Sequence, residues 1–179
     1  MTKNILILSA SPRKGGNSDL LCDAFARGAQ ESGHKAEKLF LREYNIHYCT
    51  GCGVCNTTHR CVQQDDMSDI LDKMLAADVL VFATPVYFYA MDAQLKTLID
   101  RSVPRYTALT DKEIYMILTA ADPTEESLYR VADGIRGFTQ ECLPGAVERG
   151  VLYGTGVWNA GEVRGTPLMQ EAYAMGKNV

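Results

Sequence analysis

The stretch DVLVFATP at residues 78–85 decides the fold of this 179-residue chain. Asp78–Thr84 is an almost continuous apolar run, which is typical of a strand buried on both faces of a parallel sheet. Pro85 has no backbone N–H to donate, so we expect the strand to end there. A strand of this kind needs helices on both sides of it, and the flanking sequence supplies them.

Strand and helix patterns alternate on both sides of this central strand. The other predicted strands are Asn4–Ser9, Ala36–Arg42, Glu113–Thr119 and Val151–Tyr153, and the predicted helices are Asp19–Glu31, a helix opened by Asp65 and Asp66, Ala90–Arg101, Glu125–Cys142 and Pro167–Gly176. This alternation predicts a three-layer α/β/α sandwich, and five strands favour a flavodoxin-like parallel sheet in the order 2-1-3-4-5. We expect a single domain over residues 1–179, with a cysteine-rich loop insertion at about residues 46–64.

The charge balance and the first residues exclude several classes of partner. The net charge is −4, which gives no electrostatic reason to expect a nucleic acid or an anionic membrane. The apolar run at residues 5–10 is too short for a secretion signal or a membrane span. We therefore expect a cytoplasmic protein. In that reducing compartment, clustered cysteines indicate metal or redox chemistry more often than disulfides.

Ligands of such sheets bind beyond the carboxyl ends of the strands, where the loops at residues 9–18, 85–90 and 120–124 should meet. The first loop, SASPRKGGNS, offers hydroxyl, amide and guanidinium groups, and two glycines that let the backbone approach an anion. A turn that simply caps the next helix is the alternative. Because the loop matches neither G-x-x-x-x-G-K-[ST] nor G-x-G-x-x-G, it favours a phosphate monoester over a nucleoside triphosphate or an adenine dinucleotide.

The loop SASPRKGGNS, followed by TPVYFYAMDAQLKTLIDR at residues 84–101, resembles the NAD(P)H-dependent FMN reductases and multimeric flavodoxin-like oxidoreductases. The resemblance implies that FMN is the cofactor and that NAD(P)H is a possible co-substrate. It implies that the FMN phosphate is bound by Ser9, Ser11, Arg13, Asn17 and Ser18, and that the isoalloxazine ring is lined by Pro85, Val86, Tyr87 and Phe88. The family's glycine pair is absent from residues 119–127, so no flavin contact is assigned there.

The aromatic run after Pro85 has two interpretations. It can cover the flavin, or it can be a core or subunit-interface cluster. Tyr87, Phe88, Tyr89 and Met91 form more apolar surface than one flavin face can cover, so we expect a homodimer or homotetramer.

Four of the six cysteines, Cys49, Cys52, Cys55 and Cys61, are spaced C-x2-C-x2-C-x5-C. Structural zinc sites usually separate two C-x2-C pairs by a dozen or more residues, whereas C-x2-C-x2-C is typical of iron–sulfur ligation. The motif resembles that of the iron–sulfur flavoproteins of anaerobic microbes, which implies a [4Fe–4S] cluster on all four thiols. Zinc, and cysteines without metal, stay open as alternatives. We interpret Asp65 and Asp66 as a helix N-cap pair, and Lys96, Asp100 and Arg101 as helix stabilisers.

These expectations together predict an FMN-dependent oxidoreductase. It would move electrons between a reduced donor, either NAD(P)H or a ferredoxin-like protein, and a small-molecule or small redox-protein acceptor, through FMN and a [4Fe–4S] cluster. No acid–base side chain need act. A cluster-free NAD(P)H:FMN or quinone reductase is the alternative enzyme. The non-enzymatic alternatives are a one-electron carrier, a thiol redox sensor and a flavin-free binding module.

Overall fold

The computed structural model describes residues 1–179. Its strands are β1 (Asn4–Ser9), β2 (Lys35–Phe40), β3 (Val79–Tyr87), β4 (Ala90–Met91), β5 (Glu113–Thr119) and β6 (Val147–Gly154). Its helices are α1 (Asn17–Glu31), α2 (Cys55–Thr58), α3 (Met67–Ala76), α4 (Ala93–Arg101), α5 (Glu126–Thr139) and α6 (Leu168–Lys177). None of these helices combines the length and the hydropathy that a bilayer crossing requires.

The five long strands are all parallel and form a sheet in the order β2-β1-β3-β5-β6. The two-residue β4 lies off this path and pairs antiparallel with the end of β3. When the long strands alone are numbered, this is the flavodoxin-like order 2-1-3-4-5. The predicted fold is therefore confirmed.

The core consists of two apolar layers, one on each face of the sheet. Alternate residues of β3 enter different layers: Leu80 and Phe82 pack with α3, α4 and α5, whereas Val79, Val81 and Ala83 pack with α1 and α6. Successive side chains of a strand point to opposite faces, so a strand covered on both faces has to be apolar at every position. This explains why the run at residues 79–83 carries no polar residue.

β3 does not end at Pro85, and this part of the prediction is wrong: the strand continues to Tyr87. The N–H of Ala10 donates to the carbonyl of Ala83 at 2.9 Å, so Ala83 presents its backbone to β1. The backbone of Pro85, two residues further along β3, is directed toward the same side of the strand. The pairing of β1 with β3 stops at Ser9 and Ala83. At Pro85 no β1 residue is left to accept a backbone N–H, so a proline there breaks no hydrogen bond of the sheet.

Helix α4 begins at Ala93, not at the predicted Ala90. Ala90 and Met91 form β4, and Asp92 is the N-cap residue, its carboxylate accepting the N–H of Leu95 at 3.0 Å. Asp is a favoured N-cap residue, so the true helix start has a signal in the sequence. The hairpin that precedes the helix has none.

The other corrections concern the ends of elements. β2 stops at Phe40 because a 3₁₀ turn, Leu41–Glu43, follows it directly. β6 is longer than predicted and begins at Val147, whereas α5 is shorter and ends at Thr139. None of these differences moves a predicted ligand loop away from the carboxyl edge of the sheet.

Candidate functional site

A pocket of about 80 Å³ lies at the carboxyl edge of the sheet. Of the predicted cofactor residues, the pocket is lined by Ser11, Arg13, Asn17, Ser18, Pro85, Val86 and Tyr87. The first and second ligand loops therefore meet as the parallel topology requires. Ser9 and Phe88 do not line this sheet-edge pocket.

The polar end of the sheet-edge pocket is the start of α1. Gly16 is the N-cap residue, and no side chain caps the helix, so the positive end of the helix dipole lacks a side-chain partner. The hydroxyl of Ser18 is buried and has no hydrogen-bond partner. A Cβ at Gly16 would meet the carbonyl of Arg13 and the hydroxyl of Ser11 at 2.9 Å. An unpartnered hydroxyl at an uncapped helix start, beside a turn that has room only for glycine, fits the phosphate of FMN.

Ser9 acts behind the pocket. It is fully buried, and its hydroxyl donates to Asp19 at 3.0 Å. Asp19 also accepts the N–H of Gly15 at 2.9 Å and an N–H of Lys38 at 2.8 Å. Burial alone would raise the pKa of Asp19, but the bonds from Lys38 and Gly15 outweigh it and lower that pKa. The carboxylate therefore shapes the turn of the loop while Lys38 compensates its charge.

Arg13 and Asn17 hold a segment that the sequence did not assign to the site, residues 157–163. Arg13 donates to the carbonyl of Trp158 at 3.2 Å. The Asn17 amide donates to the carbonyl of Asn159 at 3.0 Å and accepts the N–H of Val163 at 3.2 Å. Both polar ends of Asn17 are thus used within the chain. Asn17 positions segment 157–163, whereas the exposed Arg13 keeps further donors free.

Segment 157–163 is braced by Glu162, whose carboxylate accepts the N–H of Trp158 at 2.7 Å and the N–H of Asn159 at 2.8 Å. Trp158 lines the sheet-edge pocket, yet it is 69% exposed. An aromatic ring placed in this way can cover a bound planar ligand. The lone tryptophan in this glycine-rich stretch was the only sequence signal of this role.

The hairpin between β3 and β4 forms the apolar side of the sheet-edge pocket. Its two turn residues, Phe88 and Tyr89, have φ values of 51° and 58°. Such two-residue hairpin turns are normally Asn-Gly, and a non-glycine residue in this region costs about 1–3 kcal/mol. Phe88 is 102% exposed and points away from the pocket. The strained turn therefore presents aromatic rings at the outer edge of the site.

The third loop contributes backbone and small side chains. Thr119, Ala120 and Ala121 line the sheet-edge pocket, although the sequence assigned no residue there. The N–H of Val157 donates to the carbonyl of Ala120 at 2.9 Å, which ties this loop to segment 157–163. Small residues leave room for a ligand where the family's glycine pair is missing.

Asp92 is a buried carboxyl behind the hairpin. One of its oxygens caps α4, and the other, Oδ2, is buried without a partner. Burial raises the pKa of Asp92 to about 7, against hydrogen bonds from Leu95 and Thr84 that lower it. The carboxyl group of Asp92, which lies behind the hairpin, therefore has a pKa near neutral pH.

The second site is the cysteine loop, residues 46–64. The four cysteines Cys49, Cys52, Cys55 and Cys61 are unpaired, and all four line one small pocket together with Arg101. No three side chains of His, Cys, Asp or Glu lie close enough together to ligate a single metal ion. Four thiolates at the corners of a cluster stand farther apart than thiolates around one ion. Soft, unpaired thiols that face one pocket fit an iron–sulfur cluster by their donor chemistry.

The ends of the cysteine loop are held by a buried ion pair that the sequence analysis missed. Asp65 accepts hydrogen bonds from Arg101 at 2.7 and 2.9 Å, and both side chains are 1% exposed. Arg101 also donates to the carbonyl of His47 at 2.6 Å, and Asp65 accepts the N–H of His47 at 3.0 Å. Burial would raise the pKa of Asp65, but the bonds from Arg101 and two backbone N–H groups lower it to about 2.

The interpretation of Asp66 and Arg101 from sequence was therefore wrong. Asp66 does not cap α3 with its side chain, which accepts the N–H of Asn45 at 2.6 Å instead. Arg101 does not merely stabilise its own helix. The pairing of Lys96 with Asp100 is confirmed, at 2.5 Å on the exposed face of α4.

Comparisons with known proteins show what this chain is similar to. The sequence profile described as NADPH-dependent FMN reductase matches residues 3–131. An "Iron-sulfur flavoprotein" of Archaeoglobus fulgidus is 42% identical over 94 residues, which is 52% of this chain and 43% of that protein. A protein of the same name from Methanosarcina thermophila is 42% identical over 96 residues, which is 54% of this chain and 50% of that protein. The chain thus spans about half the length of these curated relatives.

A solved structure, an NAD(P)H:quinone oxidoreductase from Methanothermobacter marburgensis, superposes with a TM-score of 0.79. It covers 99% of this chain and 96% of the other at 20% identity, and so supports the fold alone. The profile match extends over most of the sequence and includes the first and second ligand loops. The chain therefore belongs to the NADPH-dependent FMN reductase family.

Proposed function

We propose that the protein is an FMN-dependent oxidoreductase that moves electrons between a reduced donor and an acceptor. The observation that carries this proposal is the sheet-edge pocket, which joins the unpartnered Ser18 hydroxyl at the uncapped start of α1 to an apolar wall made by the β3–β4 hairpin. This pairing of an anion cradle with a flat apolar surface suits FMN, which supplies two-electron chemistry with single-electron release when bound. The family to which the chain belongs supports the same cofactor.

Ser11, Ser18 and the first backbone N–H groups of α1 would hold the phosphate, with Arg13 adding a charged hydrogen bond. Pro85, Val86 and Tyr87 would line the ring. Ser9 and Asn17 would act indirectly, by fixing Asp19 and segment 157–163. No side chain is required as an acid or base, because the residues only bind and orient the cofactor.

The sheet-edge pocket is smaller than the 300–1,000 Å³ typical of ligand sites, so it cannot enclose a whole flavin. The ring would lie across the hairpin, beside the exposed Phe88 and Tyr89. We therefore propose a homodimer or homotetramer in which a second subunit covers this aromatic edge. Light scattering of the FMN-bound protein at micromolar concentration should give at least a dimer.

For the cysteine loop we propose a [4Fe–4S] cluster held by Cys49, Cys52, Cys55 and Cys61. The support is the shared pocket of the four thiols and the names of the similar archaeal proteins. The reducing cytoplasm predicted from the sequence would keep these thiols available for iron. NAD(P)H or a small ferredoxin-like protein is the proposed donor, and a small molecule or small redox protein is the proposed acceptor.

A cluster-free NAD(P)H:FMN or quinone reductase is the second candidate. It is supported by the match to the profile described as NADPH-dependent FMN reductase, a description that names no cluster. In this case the thiols would remain free or act as a redox sensor, and the sheet-edge pocket alone would carry the activity.

One anaerobic preparation tests both candidates. Protein made without oxygen and with added iron is assayed for FMN, iron and sulfide, and is then mixed with NADPH or NADH while the flavin absorbance is followed. The main proposal expects about four irons and four sulfides per chain, a broad shoulder near 400 nm, and flavin bleaching. Bleaching without iron would support the cluster-free reductase. Iron and FMN without bleaching would favour a one-electron carrier, and protein that never binds FMN would overturn the proposal.

A further inference from the structure

We propose that Arg101 is a positioning residue for the four-cysteine site, where its buried guanidinium donates an N–H to sulfur and thereby raises the reduction potential of the site. This inference rests on the proposed cluster. It concerns a residue of α4, outside the motif that carries the thiols.

The first step is the burial of Arg101, the largest side chain in the protein that is fully buried. Its two terminal nitrogens are used by Asp65 and by the carbonyl of His47. Its third nitrogen, Nε, is buried and has no hydrogen-bond partner. A buried donor without an acceptor costs about 1–3 kcal/mol, and more when the group is charged. The site is therefore complete only when an acceptor lies beside Nε.

The second step is the identity of that acceptor. Arg101 lines the small pocket that the four cysteines share, whereas Asp65 does not line it. The carboxylate occupies the two terminal nitrogens of the guanidinium, so Nε is the nitrogen left for an acceptor from this pocket. Four of the residues that line this pocket offer sulfur as the acceptor, while its one carboxylate, Asp100, pairs with Lys96.

The third step is the consequence for electron transfer. Hydrogen bonds and positive charge near thiolate sulfur favour the reduced, more negative state and so raise the potential of a cluster. Asp65 fixes the guanidinium through two parallel hydrogen bonds, a geometry that lysine cannot reproduce. A residue that only tied the loop ends together would leave the potential unchanged.

The test uses the full chain, prepared anaerobically with FMN and iron, in four forms. These are the wild type, Arg101→Lys, the double variant Asp65→Leu with Arg101→Met, and Lys96→Gln as the control. Lys96→Gln removes an exposed cation from the same helix. The double variant guards against misfolding, because replacing a whole buried ion pair by apolar residues is often neutral. FMN content and thermal unfolding report the fold of each form.

The readouts are iron per chain, the rate of iron release to a chelator, and the midpoint potential from an anaerobic titration followed by EPR. We expect Arg101→Lys and the double variant to have lower potentials than the wild type and to release iron at least ~10-fold faster. We expect Lys96→Gln to match the wild type. Equal potentials in the iron-loaded wild type and both Arg101 variants would overturn the inference. A wild type without iron would instead remove the proposed cluster on which the inference depends.

Discussion

The sheet-edge pocket and the cysteine loop are built in opposite ways. Loops at the ends of parallel strands bring Ser18 and Pro85 together, so the topology of the sheet positions the pocket before any ligand binds. The thiols of Cys49 and Cys52 lie on an exposed, irregular loop, and no three potential ligands gather around one point. The first site is preorganised by the fold. The second is held only at its ends and would take its final shape around the group that it binds.

The largest expected effect tests whether the two sites are independent. Cys52→Ser should lose most of the iron, at least ~10-fold in iron per chain, because a cluster held by four thiolates loses one ligand. FMN content should not change, since the ligand loops of the flavin lie on other segments. Cys142→Ser, an exposed cysteine outside the loop, is the control. Loss of FMN together with the iron in Cys52→Ser would show that the sites depend on each other.

The next effect tests the preorganised site. Arg13→Ala should weaken FMN binding about 10- to 100-fold, because one charged hydrogen bond contributes roughly 1.5–3 kcal/mol. Lys14→Ala removes the neighbouring exposed cation and should change the FMN affinity little. Fluorescence titration of apoprotein with FMN gives both dissociation constants. The fluorescence of the lone Trp158 provides a second signal, because this residue lines the pocket. Unchanged affinity in Arg13→Ala would contradict the phosphate assignment.

The pH dependence of stability should also distinguish Asp92, behind the hairpin, from Asp65, at the end of the cysteine loop. The pKa of Asp92, raised to about 7, lies above its ordinary value of 3.8, so the folded state binds a proton more tightly than the unfolded state between these values. Stability should therefore fall as the pH rises through this window, by about 1.4 kcal/mol per pH unit where Asp92 alone titrates. Asp65, with a pKa lowered to about 2, stays ionised over the same range.

Asp92→Asn keeps the helix cap and should remove most of this slope. Urea unfolding at pH 5, 6 and 7 measures it for the wild type and the variant. An equal slope in both proteins would assign the titration to another group.

A smaller effect concerns strain in the hairpin. Replacing Phe88 by Asn and Tyr89 by Gly gives the turn its preferred residues and should stabilise the protein by about 1 kcal/mol. The same change should weaken FMN binding or subunit association, because it removes the aromatic edge. Asp111→Gly relieves another positive φ, of 56°, at a site outside the pocket, and should affect stability alone. If the hairpin variant binds FMN and associates as the wild type does, the strain has no functional role.

Much of the sheet-edge site could be predicted because its information is local and topological. The apolar run at residues 79–83 fixes a central strand, and the parallel order then brings the following loops together. The extent of β3 past Pro85 could not be predicted, because it depends on where β1 stops. Segment 157–163 was missed for a similar reason: its place depends on hydrogen bonds from Asn17, which lies 142 positions from Asn159.

For the cysteine loop, the sequence reveals the candidate ligands but not the contacts that hold them in place. Its ligand spacing is visible in the sequence, but its support is not. The partner of Arg101 lies 36 residues away, on the far side of the loop, and helical periodicity gives no sign of it. An arginine at the end of an amphipathic helix has the same local pattern whether it is exposed or buried. Only the packing of α4 against the loop separates these cases.

Helix α4 has a consequence for electron flow. Its first turn is capped by Asp92 directly after the hairpin, and its last residue is Arg101 at the cysteine loop. A helix of 9 residues is about 13 Å long and nearly incompressible. One helix thus reaches from the β3–β4 hairpin to the cysteine loop within a subunit. With the proposed FMN and cluster bound, this helix would set the distance between them, much as the bridge of a donor–bridge–acceptor molecule does.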